Sequence, residues 1–87
     1  MHHSSIIKEL MIIKDISLVE MTRRLTKNSH VVIWSRLTGR DITFENLIEL
    51  LDELDYELVI RRKREGNLPD GEYALRRADY EEWEAEQ

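Results

Sequence analysis

The sequence predicts a small, mainly α domain: four bundled helices, then a C-terminal β-hairpin and a short acidic tail. Three observations predict it. Apolar residues recur at helical spacing up to Leu54, the pattern then changes to alternation, and the last nine residues carry five acids around Tyr80 and Trp83. A chain of 87 residues has room for a single core, so it is marginal alone and gains from a partner. The expected organisation is a helical unit over 1–55, a hairpin extension over 56–78 and an acidic tail over 79–87.

The first helix rests on Ile6, Leu10 and Ile13, which share one face at i, i+4 and i+7. Met1 to Ser5 ahead of it reads as an appendage, and His2 and His3 are assigned no functional weight. Asp15-Ile16 breaks the pattern. Ser17 then stands as an N-cap with Glu20 at the capping-box spacing. The second helix runs to about Leu25 on Leu18, Met21 and Leu25, with Arg23 and Arg24 on its other side. Thr26-Lys27-Asn28-Ser29 is a polar turn, in which Asn28 or Ser29 can cap the next helix. That third helix spans His30 to Thr38, and Gly39 is the residue type favoured for a left-handed stop. Ile33 and Leu37 share its inner face. Thr43 caps a fourth helix with the apolar stripe Phe44, Leu47, Leu51 and Leu54.

Tyr56 to Arg62 alternates, with Tyr56, Leu58 and Ile60 on one side, and Glu72 to Arg76 alternates again across a loop holding Pro69, Gly66 and Gly71. The pair reads as a hairpin whose apolar face pairs with a second chain or lies on the helices. Asp79 to Gln87 is either a short acidic helix or a frayed tail.

Composition narrows the function. Without Cys there is no disulfide framework, Cys-based zinc site or thiol nucleophile. The carboxylates of Glu49, Asp52, Glu53 and Asp55 come with no His and no Gly-rich loop, so they read as a wet helix face. No catalytic residue, metal, cofactor or enzymatic activity is expected. The apolar runs fall far short of the roughly 20 residues of a membrane span, and no secretory pattern is present, so a cytoplasmic protein with no membrane contact is the expectation. The net charge of −5 hides a split: residues 1–40 hold seven Lys/Arg against three acids, and residues 41–87 hold six against fifteen. A phosphate backbone responds to that local field rather than to the total.

Two short helices joined by a tight polar turn, with a packing helix after them, describe a helix-turn-helix. Ile7 to Leu54 resembles the lambda-repressor/Cro-like helix-turn-helix domain, also called the XRE family. Ile16-Ser17-Leu18-Val19-Glu20-Met21 is similar to that family's entry into helix two. Leu37-Thr38-Gly39-Arg40-Asp41-Ile42-Thr43-Phe44-Glu45-Asn46-Leu47 is similar to its passage from helix three to helix four. Leu54-Asp55-Tyr56-Glu57-Leu58-Val59-Ile60-Arg61 resembles small phage and mobile-element members, in which a strand follows the last helix. The chain departs from the family at Leu18 in place of Gln, Thr22 in place of Ala and Thr26 in place of Gly. Aligning the third helix on Gly39 also puts one extra residue in the turn, a register that buries Ile33 and Leu37 and frees Ser35.

The resemblance implies a sequence-specific DNA-binding transcriptional regulator, a repressor of phage or mobile-element type, acting as a homodimer on double-stranded DNA. Its expected DNA-binding residues are Lys27, Asn28, Ser29, His30, Val31, Trp34, Ser35, Arg36 and Arg40. His30 and Ser35 are candidates for base or phosphate contacts, Val31 for a thymine methyl, and Lys27, Arg36 and Arg40 for phosphates. Trp34 suits the core, DNA or a protein partner. The Arg61-Arg62-Lys63-Arg64 run reads as partner to Glu65, Glu72 and the acidic tail, ahead of a second phosphate-binding arm. A second reading is an antitoxin-like or inhibitor protein that binds a toxin or other protein through its acidic C-terminal half. A third has that half mimic DNA.

Overall fold

The computed structural model describes residues 1–25 and 30–87. Among the described residues the chain forms five helices: α1 (His3–Ile13), α2 (Leu18–Arg24), α3 (His30–Thr38), α4 (Phe44–Glu53) and α5 (Arg77–Ala85). The two middle caps follow the hydroxyls that the sequence offers. Ser17 Oγ accepts from the Glu20 N–H at 3.1 Å, and Thr43 Oγ1 accepts from the Asn46 N–H at 3.1 Å. Each satisfies a donor that the first helical turn leaves without an intrahelical partner.

The core lies where the apolar stripes of α1 to α4 meet. Ile7, Leu10, Met21, Ile33 and Leu50 have no solvent exposure, and Leu25, Leu37, Leu47, Leu51 and Leu54 are also buried. Each such side chain contributes about 1.5–3 kcal/mol relative to leaving it in water. Helix α1 packs on α3 and α4, and α2 packs on α3. The stripes differ from the expected ones at their ends. Phe44 is 77% exposed and Leu50 takes a place in the core, because Leu47, Leu50, Leu51 and Leu54 make the complete i, i+3, i+4, i+7 set. Ile13 likewise faces solvent, while Ile7 and Met11 extend the inner face of α1.

Helices α1 and α4 end alike. Asp15 and Asp55 adopt left-handed φ values of 54° and 64°. The next N–H returns to the helix, from Ile16 to the Met11 carbonyl at 2.8 Å and from Tyr56 to the Leu51 carbonyl at 2.9 Å. Ile16 and Tyr56 then pack against the core, the apolar contact that accompanies this kind of stop. Gly39 stops α3 differently. Its φ is not positive, and its lack of a side chain serves a close approach, since a Cβ there would meet the Ser35 carbonyl oxygen at 3.2 Å.

The expected C-terminal β-hairpin is not formed. Among the described residues there is no strand, and Tyr56–Arg62 and Glu72–Arg76 carry no ladder between them. The turn chemistry is present: Gly71 has a φ of 83° and the Glu72 N–H reaches the Pro69 carbonyl at 3.2 Å. Arg61 and Glu72 form an ion pair across the loop. A lone two-stranded ribbon is marginal in water, and here Tyr56 and Tyr73 pack against the helical core. They flank a cavity of about 250 Å³ whose inner wall includes Ile6, Leu10, Leu47 and Leu51. Of the alternating residues in 56–76, Tyr56 and Tyr73 reach the core along an irregular segment, while Leu58, Ile60 and Leu75 stay exposed. The acidic tail is helical: α5 begins where the Asp79 carboxylate accepts from the Arg76 N–H at 2.9 Å.

Asp55→Gly is expected to stabilise the protein by about 0.5–1 kcal/mol, since it relieves a left-handed residue bearing a Cβ and removes an acid from a helix C-terminus. A thermal melt checks this, with a rise of about 2–8 °C expected for a domain of this size.

Candidate nucleic-acid interface

Helix α3 has its phase set by Ile33 and Leu37, both in the core. At 100° per residue, the opposite ridge is formed by Val31 and Ser35, one turn apart, with Trp34 on its flank. These three are exposed, Val31 to 73% and Trp34 to 50%, as is the neighbouring Val32. The structure therefore brings Val31, Trp34 and Ser35 together on one outward face. Trp34 also carries the Lys8 ammonium over its ring, 5.5 Å from the centroid. Lys27, Asn28, Ser29 and the side chain of His30 lie outside the described residues.

The arginines assigned to phosphates sit in two different settings. The Arg36 side chain is largely buried, with Nη1 3.7 Å from Glu49 Oε2 of α4. It joins α3 to α4 and does not share the outward ridge. Arg40 is half exposed, and its guanidinium is already held by carboxylates: Nε donates to Glu84 Oε2 at 2.9 Å and Nη1 to both Asp41 oxygens at 3.0 and 3.1 Å. The bonds it donates to Glu84, and then those to Asp41, favour its charged form.

The same neutralisation recurs in α2. Glu20 pairs with Arg23 and with Arg24 Nε at 3.1 Å, and Arg24 Nη1 donates to the Glu53 carbonyl at 3.1 Å. The Arg24 hydrogen bond is the main reason the Glu20 carboxyl titrates below its usual range. The positive balance of residues 1–40 is thus largely spent within the chain. Among the described residues, no group of three or more His, Cys, Asp or Glu converges to hold a metal ion.

The largest surprise is the start of the chain. His2 and His3, given no weight in the sequence, are buried, His3 completely. His3 Nε2 lies 3.1 Å from the Arg36 carbonyl and Nδ1 lies 2.9 Å from the Tyr80 hydroxyl. A carbonyl only accepts, so Nε2 bears the proton and Nδ1 accepts from Tyr80. His2 repeats the pattern, donating from Nε2 to the Arg40 carbonyl at 3.0 Å and capping α1 by accepting from the Ser4 N–H at 3.2 Å. Its ring stacks on Trp83, with centroids 4.9 Å apart and planes 9° apart. The signal for this in the sequence is the Tyr80–Trp83 spacing: two aromatics on one face of an acidic helix need a cover.

No protein-family model, curated protein or solved structure matches the chain. Among the described residues, no helix is long and apolar enough to cross a membrane.

The half-exposed position of Trp34 and the burial of Ile33 set apart two neighbouring residues. Trp34→Ala is expected to change unfolding free energy by under about 1 kcal/mol, and Ile33→Ala to cost about 2–5 kcal/mol. Urea denaturation of the two variants distinguishes them.

Proposed function

We propose that the chain is a sequence-specific DNA-binding transcriptional regulator of helix-turn-helix type, a cytoplasmic repressor of the phage or mobile-element kind that acts as a homodimer. The observation that carries this reading is the pairing of an anchored inner face with an uncovered outer face on α3. Ile33 and Leu37 hold the helix against α1 and α2, Val31 and Ser35 are exposed, and Trp34 is half exposed beside the Lys8 ammonium of α1. The major groove of B-DNA, about 12 Å wide, admits one helix in that orientation. There Val31 meets a thymine methyl, the Ser35 hydroxyl meets a base edge or a phosphate, and Lys27, Asn28, Ser29 and His30 supply polar contacts from the approach to the helix. Two copies read a palindromic site whose halves lie about 34 Å apart.

A second copy is favoured by the apolar residues after α4. Ile60 is 97% exposed and Val59 beside it is also uncovered. Pairing two copies antiparallel about Val59 sets Leu58 against Ile60 and Glu57 against Arg61, which joins like with like and opposite charges with each other. The inhibitor reading is favoured by one observation, the internal pairing of Arg23, Arg24, Arg36 and Arg40 with acids or carbonyls of the chain. That pairing lowers the field available to phosphate.

Selection from a random duplex pool with the purified chain decides between the two. Enrichment of a palindromic motif is expected, and Ser35→Ala should relax the preference at one position by about 1–3 kcal/mol. A pool that stays random at low salt overturns the DNA reading. Arg36→Ala is expected to lower stability through the loss of its contact with Glu49, a different result from the uniform loss of affinity that follows removal of a phosphate contact.

A further inference from the structure

We propose that α5 is an acidic latch that withholds Arg40 from a phosphate backbone, and that protonation of the His2–His3 pair releases it. The proposal rests on the DNA-binding reading for what Arg40 would contact. The latch itself rests on geometry alone.

Helix α5 has no fully buried residue. Its hold on the body is made by Trp83 stacked on His2, Tyr80 bonded to His3, the Glu84–Arg40 ion pair at 2.9 Å, and Asp79, whose carboxylate is 2.8 Å from the Met1 amino group. The two imidazoles therefore seat both aromatics of the helix. Glu84 occupies the guanidinium edge that would otherwise face an anion. Loss of the seat removes Glu84 with the helix and leaves Arg40 with Asp41 as its remaining carboxylate partner.

Both imidazoles are used in their neutral form. Each donates from Nε2 to a main-chain carbonyl and needs a lone pair on Nδ1, His2 for the Ser4 N–H and His3 for the Tyr80 O–H. A second proton on either ring turns an acceptor into a donor. At His2 that donor gives up the Ser4 N–H cap and turns to Ser4 Oγ, 2.8 Å away, and at His3 the Tyr80 hydroxyl must reverse. The ring centroids are 4.1 Å apart, so charging both adds repulsion. The charged and titratable groups around the pair are the Met1 amino group, Asp79, Tyr80 and Glu84 of α5, Arg36 of α3 with Glu49 of α4, and Arg40 and Asp41 between α3 and α4.

Burial lowers the His3 pKa below its ordinary 6.5, His2 adds to the effect, and the Arg36 carbonyl and Asp41 oppose it without reversing the sign. The unfolded or released segment then binds more protons than the closed one. The latch free energy is complete above the ordinary histidine value and is lost as pH falls from there to the depressed value.

Amide exchange of the full chain tests the clamp. Corrected for intrinsic rates, the protection of the α5 amides is expected to fall several-fold between pH 7.5 and pH 5.5, up to the roughly tenfold that one histidine of ordinary pKa 6.5 can supply, with α4 amides little changed. Tyr80→Phe, which removes the hydroxyl and keeps the ring, should show the low α5 protection already at pH 7.5. Unchanged α5 protection across this range overturns the clamp, and so does a parallel loss in α4, which would mark global unfolding.

Binding to a 20-base-pair duplex of mixed sequence tests the withholding of Arg40. Glu84→Gln should bind about two- to fivefold tighter than wild type at pH 7.5, the range expected for removing one exposed ion pair. Its salt slope should steepen by about one, and the gap between the two proteins should close at pH 5.5. Equal affinity of the two at pH 7.5, with wild type binding the duplex, overturns the withholding. If neither protein binds at either pH, the DNA reading fails and the withholding fails with it, while amide exchange still decides the clamp.

Discussion

Ile7 and Leu10 are wholly withdrawn from solvent, and the placement of the other helices follows from keeping them so. Helix α1 packs on α3 and on α4, while α2 reaches the core through Met21 against α3. In a chain with one core, α3 must give its inner face to α1 and α2. Its outer face is then free of internal duties, and a recognition surface becomes available without any loss of packing. The extended loop after α4 closes the remaining side by lending Tyr56 and Tyr73 to the same core.

Much of the helical frame was legible in the residues. Ser17 and Thr43 announce helix starts by chemistry that acts within one turn, and Ile33 and Leu37 define a face by spacing alone. Local rules fail where the answer depends on something distant. Tyr56 to Arg62 alternates as a strand does, yet a ladder needs a second backbone within bonding distance, and what Tyr56 and Tyr73 find is the helical core. Phe44 has the spacing of a core residue but sits at the first position of α4, 77% exposed. By residue type Gly39 marks a left-handed stop. The structure uses its missing Cβ instead, because the Ser35 carbonyl lies where a side chain would begin.

The candidate surface was legible in outline and not in its electrostatics. Spacing alone places Val31 and Ser35 on one ridge of α3, as the structure does. A count of charges along the chain made residues 1–40 positive, but it could not say that Glu49 and Glu84, both from the acidic half, would return to Arg36 and Arg40. His2 and His3 were hidden for a related reason. Their partners, Tyr80 and Trp83, stand more than seventy residues away, and no window along the sequence contains both.

The contact between His3 and Tyr80 spans 77 residues, one fewer than the Met1–Asp79 ion pair beside it. Contacts within the four-helix unit join residues closer in sequence and can form earlier, whereas this one must wait until α1, α3 and the segment after α4 have positioned both partners. The entropic cost of such a closure grows only with the logarithm of its length, so lateness and weakness are separate matters. In kinetic terms the clamp is a finishing step. Helix α5, with no buried residue of its own, is then the last helix to gain its contacts with the body of the fold.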